Sequence, residues 1–156
     1  MAQPTYLTPE GLVKLKAELG LLRTTRRQEV AERIQRANAI GGAVDNAEYD
    51  EAKKEQAFIE GQILDIQYIV SKSTIIETNK PESDTVTVGS RVMVLNQNRQ
   101  KKEKFFIVGS PEADPANGKI SNMSPIGMAL IGKKVGELAD VTVPAGTIKL
   151  EILTVK

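Results

Sequence analysis

The chain has 156 residues, which suits one medium domain or two small ones, and its 40% hydrophobic and 26% charged residues are typical of a globular protein. It contains neither cysteine nor histidine, which excludes disulfides, thiolate metal sites, cysteine nucleophiles and serine–histidine triads. The net charge is only +1, so we do not expect bulk electrostatic capture of nucleic acid. Any chemistry must rest on carboxylates, amines and hydroxyls, or on a partner.

The first half of the chain carries the pattern of a long helix. Thr8, Pro9 and Glu10 form a helix start, because Thr8 can accept a hydrogen bond from a free amide of the first turn and proline suits the first helical position. Leucines then recur at spacings of three and four from Leu12 to Leu22. The stripe lapses at Arg26 and Glu29 and resumes, shifted, at Val30.

A second helix is predicted after a break at residues 40–46. Gly41 and Gly42 end the first helix, and Asp45 or Asn46 can cap the next one. From Ala47 onward the chain shows a heptad seam, formed by Ala52, Gln56, Ile59, Ile63, Ile66 and Val70. Two long helices joined by a short connection predict an antiparallel coiled-coil hairpin, an arm over residues 1–78.

The second half changes to strands and turns. A polar linker at 79–84 leads to a domain at 85–156, in which valines at 86, 88, 92 and 94 alternate about a turn and a hairpin over 141–152 closes the sheet. Ser124-Pro125 opens a short helix that ends near Gly132, and the stretch from Arg99 to Lys104 is most simply an exposed loop. The fold class predicted is α+β, with the helical arm preceding a small α+β domain.

Two interpretations of the loop at 41–46 stay open. Asp45 can be an ordinary N-cap of the second helix. Alternatively, the arm delivers Asp45, helped by Glu48, into another molecule's site, where a carboxylate can complete the shell of a Mg²⁺ ion held by that partner.

Two further segments carry paired interpretations. Arg33, Arg36, Lys53 and Lys54 flank the loop and can contact a phosphate backbone, or they form a solvated face paired with nearby glutamates. The segment from Ser124 to Lys133 is a capped helix packed on the sheet, an apolar patch for a partner, or both on different faces.

Long motifs resemble the bacterial Gre transcript-cleavage factors of the GreA type. They lie at residues 7–19, at 46–63 around Asn46-Ala47-Glu48-Tyr49, at 108–114 ending in Glu112-Ala113-Asp114, and at 120–133 around Ser124-Pro125-Ile126-Gly127. The resemblance implies a coiled-coil arm and a C-terminal domain similar to FKBP-type folds. It also implies a factor that has no cofactor of its own and is not itself an enzyme.

The same resemblance implies a partner and a mechanism. The C-terminal domain docks on the β′ subunit of RNA polymerase at the mouth of the secondary channel, through Asp114 and the segment from Ser121 to Ile126, including Ser124 and Pro125. The arm reaches the polymerase active site, where Asp45 and Glu48 help to hold the second Mg²⁺ and to position water that cleaves backtracked RNA. Arg36 and Lys53 lie near the nascent RNA 3′ end. We expect a monomer in the cytoplasm with no membrane contact.

The chain departs from the family pattern at the loop. Gly42 stands at the first acidic position, and the shorter Asp45 stands where the family usually has glutamate. Asn38 replaces a common arginine, whereas the basic position on the second helix is kept as Lys53. Fewer charged ligands weaken cation binding. The resemblance therefore also allows a channel-binding inhibitor without cleavage activity, while fold analogy alone supports a chaperone or prolyl isomerase.

Overall fold

The computed structural model describes residues 4–39, 47–77 and 84–156 of the chain. Its described residues form two units, one made of residues 12–72 and the other of 73–156 together with the segment that ends at Gly11. The predicted α+β class is confirmed, because long helices fill the first unit and a sheet with short helices fills the second. The predicted linker at 79–84 lies outside the described residues except for Asp84, so the predicted domain boundaries stay predictions.

The first unit is a helical hairpin. One helix runs through α1 (Pro9–Leu21), a π-helical segment (Leu22–Arg26) and α2 (Arg27–Ala39), and the other helix is α3 (Ala47–Lys72). The helices are antiparallel, since Arg27 contacts Glu60 whereas Arg33, six residues later, contacts Glu55. The predicted seam is confirmed: its buried residues are Leu19, Leu22, Val30, Ile59, Ile63 and Ile66. The predicted break at 40–46 falls outside the described residues.

The π-helical segment explains the lapse in the apolar stripe. A π-helical turn holds more residues than an α-helical one, so Leu22 and Val30 can face α3 although eight residues separate them. Arg26, inside the segment, instead makes ion pairs with Glu29 and Glu55 at 3.1 Å each. The shift in the sequence pattern is therefore a local widening of a continuous helix.

An exposed ion pair joins α2 to α3. The Arg27 guanidinium donates to both carboxylate oxygens of Glu60, at 2.7 and 2.8 Å. Hydrogen bonding from Arg27 holds the pKa of Glu60 below its ordinary value, and the same contact raises the pKa of Arg27. Bidentate geometry makes this the best-formed charge contact along the hairpin.

Glu60→Gln is expected to lower stability slightly at neutral pH and not at all in strong acid. A lowered folded-state pKa means that the pair stabilises above the unfolded-state pKa and loses its effect as the pH falls through the folded-state value. Because both groups are exposed, the effect is small and decreases with salt. Thermal unfolding of both proteins against pH checks this, with exposed Glu18→Gln as the control. An undiminished difference in strong acid would contradict it.

The second unit contains two sheets. A parallel pair joins β1 (Tyr6–Leu7) to β2 (Thr74–Ile75). The larger sheet contains β3 (Arg91–Asn96), β4 (Lys101–Val108), β5 (Lys119–Ser121), β6 (Leu138–Val143) and β7 (Gly146–Val155), in the order β5-β4-β3-β7-β6. The predicted closing hairpin is confirmed as β6 and β7, paired from Leu138 and Glu151 to Val143 and Gly146.

One face of the larger sheet forms the core with the short helix α4 (Pro125–Leu130). Leu130 is fully buried among sheet residues, while Ile126 and Ile131 pack at the margin of this core. The predicted helix start is confirmed, because Ser124 accepts a hydrogen bond from the Gly127 amide at 3.0 Å. The interpretation of this segment as a capped helix packed on the sheet therefore holds.

Two predictions for the second unit are wrong. Residues 86–88 do not form a strand before the turn at 88–89; Val86 bonds instead to the chain after α4, donating to Lys133 and accepting from Gly132. The predicted loop from Arg99 to Lys104 is mostly strand, because β4 begins at Lys101. The charges there conceal the strand pattern, since one face of β4 is solvated.

Within the second unit, Glu112 holds the residues at the start of α1. Thr8 accepts from the Gly11 amide at 3.0 Å, as predicted for a helix cap. In addition, the Thr8 amide and hydroxyl both donate to the Glu112 carboxylate, at 2.7 and 2.5 Å. A Cβ at Gly11 would lie 2.2 Å from Glu112 Oε1, so glycine leaves the space that this carboxylate occupies. Glu112 therefore fixes the first turn from a position 104 residues away.

Glu112→Gln is expected to lower the free energy of unfolding by about 1 to 3 kcal/mol. A glutamine side chain offers one oxygen, which can accept from the Thr8 amide, while the Thr8 hydroxyl loses its carboxylate acceptor and can only accept from the new NH2 group. Neutral hydrogen bonds thus replace charge-assisted ones, which are about twice as strong. Urea denaturation measures the loss. Glu103→Gln, the same change on β4 at a side chain with no described hydrogen bond, should be nearly neutral. Equal stabilities of the two variants would show that the Glu112 contact is dispensable.

Candidate functional site

The end of the hairpin near α3's first turn forms a charged groove of about 410 Å³. It is lined by Arg33, Arg36, Ala47, Glu48 and Glu51. Two of the predicted site residues, Arg36 and Glu48, therefore meet in one groove, and both side chains are exposed. Asp45, the principal predicted carboxylate, lies outside the described residues, two positions before α3 begins.

The basic residues around this groove differ in their partners. Arg33 makes an ion pair with Glu55, as the interpretation of a solvated, paired face expects. Lys53 lies outside the groove, with its amine 3.4 Å from Gln56 Oε1 and 5.9 Å from the Tyr49 ring centroid. Arg36 has no ion pair with a described carboxylate. Arg36 is thus the cation of the groove best placed to meet an external anion.

The described residues do not assemble a metal site of their own. Within 4–39, 47–77 and 84–156, no three acidic side chains lie together in a way that could hold an ion. Glu48 and Glu51, three residues apart on α3, supply two carboxylates at the groove. Two carboxylates cannot complete an octahedral shell but can contribute oxygens to a shell that other ligands already hold.

The predicted docking residues gather at a second place, which we call the docking corner: residues 110–126 around β5 and the start of α4. Ser121 Oγ lies 2.9 Å from Ser110 Oγ and accepts from the Met123 amide at 3.0 Å. Ser124 Oγ donates to the Ser121 carbonyl at 2.7 Å. Hydrogen bonds therefore connect Ser121 to Ser124 and fix the start of α4, with Pro125 exposed beside it.

Asp114 is held separately at the edge of this corner. Its carboxylate accepts from the Asn117 amide group at 2.6 Å, and its backbone pairs with Lys119 at the start of β5. The turn between them is a 3₁₀ segment, Pro115–Asn117, which ends at Gly118 with φ +76°, as the Asp-Pro and Asn-Gly pairs predict. One Asp114 oxygen therefore remains for an outside donor.

Two methionines near α4 supply an exposed apolar surface. Met123 is 45% and Met128 58% exposed, and they lie on either side of Ser124-Pro125. Ile126, by contrast, is half-buried against the core. One face of α4 therefore packs on the sheet and the other is exposed, and the interpretation of the exposed face as a patch for a partner stays a prediction. Sequence reasoning missed Ser110 and Asn117, whose contacts depend on the folded corner.

The structure thus defines a class of protein that combines two units: a helical hairpin with acidic and basic residues near its end, and an α+β unit with a polar corner edged by exposed methionines. In the described residues, no helix has the length and hydrophobicity needed to cross a bilayer.

Two family models cover almost the whole chain. Residues 5–75 match the model described as transcription elongation factor, N-terminal, and residues 80–156 match transcription elongation factor, GreA/GreB, C-term. The chain belongs to the GreA/GreB family of transcription elongation factors. This confirms the family suggested by the sequence motifs.

Full-length relatives agree with this assignment. Transcription elongation factor GreA of Caldanaerobacter subterraneus subsp. tengcongensis is 49% identical over 156 residues, covering 100% of this chain and 99% of the relative. GreA of Thermoanaerobacter pseudethanolicus has the same identity and coverage. The solved structure of GreA factor homolog 1 from Thermus thermophilus is 26% identical with 99% coverage of both chains and a TM-score of 0.45. The sequence matches carry the assignment.

The function supported at this level is that of a GreA-type transcription elongation factor, whose general partner is RNA polymerase. The alternative of a channel-binding inhibitor is not favoured, because the relatives that are 49% identical to this chain over almost their whole length are elongation factors.

Proposed function

We propose that this protein restarts arrested transcription by stimulating RNA polymerase to cleave backtracked RNA. In this proposal the polymerase owns the hydrolytic site and its Mg²⁺ ions, and the factor is not an enzyme by itself. The protein acts as a monomer in the bacterial cytoplasm, at the secondary channel of the polymerase. The observation that carries the proposal is the groove in which Arg36 and Glu48 meet; Asp45 is three residues before Glu48 in the sequence.

The chemistry of the groove suits this role. Hydrolysis of a phosphodiester needs stabilisation of charge on the phosphate and oxygen ligands for the metal ions that position water. Asp45 and Glu48 supply carboxylates, while Arg36 and Lys53 are the cations proposed to contact the RNA 3′ end. A Mg²⁺ ion already held by the polymerase would take one or two of these oxygens in place of water.

The docking corner suits the other half of the proposal. Asp114, Ser121, Ser124, Pro125 and Ile126 are proposed to contact the β′ subunit at the channel mouth. The hydrogen bonds of Ser121 and Ser124 preorganise this surface, which lowers the entropic cost of binding. The exposed Met123 and Met128 add flexible apolar area that can adapt to a partner helix.

Arrested elongation complexes with 3′-labelled RNA test the proposal. The complexes are incubated with Mg²⁺ and with or without the protein, and released RNA fragments are resolved by length. Prompt release of short 3′ fragments, followed by resumed elongation, is expected. Blocked elongation without released fragments would show that the protein inhibits the polymerase and does not stimulate cleavage. Absence of binding to the polymerase would overturn the proposal altogether.

A further inference from the structure

The C-terminal sheet has a second face, opposite to the core, that the proposed function does not use. Strand alternation places Arg91 and Met93 on this face, because Val92 and Val94 point into the core. The register then brings Phe106 beside Arg91 and Lys104 beside Met93. One strand further out, Lys119 pairs with Phe106.

We call this surface the outer sheet face and define it by Arg91, Met93, Lys102, Lys104, Phe106 and Lys119. Four of these six residues are cations, all exposed, and none has an ion pair with a described carboxylate. Among the strand positions paired with these residues, the acidic one is Glu151. It pairs with Leu95 from β7, on the side opposite to Lys102 of β4. The positive charge is therefore concentrated at the end near Arg91 and is not neutralised within the sheet.

An aromatic contact organises the centre of the face. The Arg91 guanidinium lies 4.1 Å from the centroid of the Phe106 ring. A guanidinium at this distance makes a cation–π contact, which holds the Arg91 charge over Phe106 on the outer face and leaves a planar group that a base can stack on. A groove of about 380 Å³ opens beside it, lined also by Met93, Lys104 and Thr154. This volume lies within the range of small ligand sites.

We infer that the outer sheet face binds single-stranded nucleic acid without strong sequence preference. One base stacks on the Arg91 guanidinium, and the backbone phosphates on either side contact Lys104 and Lys119, with Lys102 extending the track along β4. Sheets that bind single strands combine such a stacking platform with flanking cations. The contacts are few, so the affinity is modest and falls steeply with salt.

The contact between Arg91 and Phe106 favours nucleic acid over an acidic protein segment as the occupant. An acidic peptide would be attracted by the same four cations, but it has no planar group that requires a platform. A base offers a π-face of matching size, which makes the Arg91–Phe106 contact part of the binding surface. The inference concerns the C-terminal unit alone and does not rest on the proposed function.

Fluorescence anisotropy of a labelled oligouridine about 12 nucleotides long, with the full-length protein in about 50 to 200 mM KCl, tests the inference. The double variant K102Q/K104Q should bind more weakly and reduce the slope of log K against log salt by about 1.4. Arg91→Lys keeps the charge but removes the stack, so it should weaken binding by about fivefold or more while leaving the slope unchanged. The matched control K14Q/K16Q removes two exposed lysines of α1 and should bind like the unchanged protein.

Three results would overturn the inference. Equal binding by K102Q/K104Q and the unchanged protein would show that Lys102 and Lys104 do not contact the oligonucleotide. Loss of binding in R36Q/K53Q with none in K102Q/K104Q would place the oligonucleotide on the helical hairpin. Tighter binding of a labelled oligoglutamate than of oligouridine at the same salt would identify an acidic protein segment as the occupant. The oligouridine and oligoglutamate assays both omit the polymerase, so a negative result in either leaves the proposed cleavage function untouched.

Discussion

Asp45→Asn is expected to lower the rate of RNA cleavage in arrested complexes by about 100-fold, which corresponds to about 2.7 kcal/mol in the barrier. Gly42 stands at the first acidic position of the family pattern, so Asp45 is the principal carboxylate that the proposal assigns to a metal ion. Asparagine removes the charge but caps a helix as well as aspartate does. The substitution therefore separates the two interpretations of Asp45, since an N-cap role predicts nearly unchanged cleavage.

The measurement compares the initial rate of 3′-fragment release with the affinity for polymerase, determined by competition on the same complexes. Affinity should change less than twofold, because the docking corner is not altered. Glu48→Gln is the comparison variant and should reduce the rate less, as expected of a helper carboxylate. Unchanged cleavage by the asparagine variant would show that Asp45 does not act in the site and would leave Glu48 and Glu51 of the groove as the candidate carboxylates.

Gly127→Ala is expected to destabilise the protein by about 3 kcal/mol and to weaken polymerase binding. A Cβ at this position would lie 2.0 Å from the Ser121 carbonyl oxygen and 3.1 Å from Ser124 Oγ. The carbonyl belongs to the backbone and already accepts from Ser124 Oγ, so it cannot move without breaking the bonds that fix the docking corner. Stability and docking should therefore decrease together.

Urea denaturation and the polymerase competition assay measure the two effects of Gly127→Ala. The control is Gly61→Ala in the interior of α3, where a Cβ meets nothing within 4 Å. Alanine should there stabilise the helix by about 0.5 to 1 kcal/mol, because glycine loses more backbone freedom on folding. A Gly127 variant as stable as the unchanged protein would show that the corner can rearrange to accept a methyl group.

Much of the fold follows from local patterns. The cap at Thr8, the two helices, the seam and the start of α4 at Ser124 were all predictable, because each depends on neighbours within a few residues or on a strong periodicity. Val86 was misassigned, since its alternation with Val88 is local whereas its bonds to the chain after α4 are not. The contact between Thr8 and Glu112 also carries no local signal.

The sites were predictable to different extents. Motif resemblance named the residues proposed to dock, and that role stays a prediction; the hydrogen bonds that hold Ser121 and Ser124 form only when β5 and α4 meet. The outer sheet face was missed because its cations come from three strands. Lys102 and Lys104 look like loop charges until the register sets Lys104 beside Met93 and Phe106 beside Arg91. The net charge of the chain, only +1, therefore concealed a local concentration of positive charge on the outer sheet face.

The pairing of β1 with β2 has a consequence for the order in which the chain is made. Thr5 and Leu7 accept hydrogen bonds from Thr74 and Ile76, so the hairpin is an insertion between two pieces of the second unit. On the ribosome, the Thr8 amide is synthesised 104 residues before its partner Glu112, a delay of roughly 5 to 20 s at ordinary elongation speeds. The helices can pair during that interval and β1 can pair with β2 directly after α3, whereas the Thr8 amide and hydroxyl have no Glu112 carboxylate until that residue has emerged.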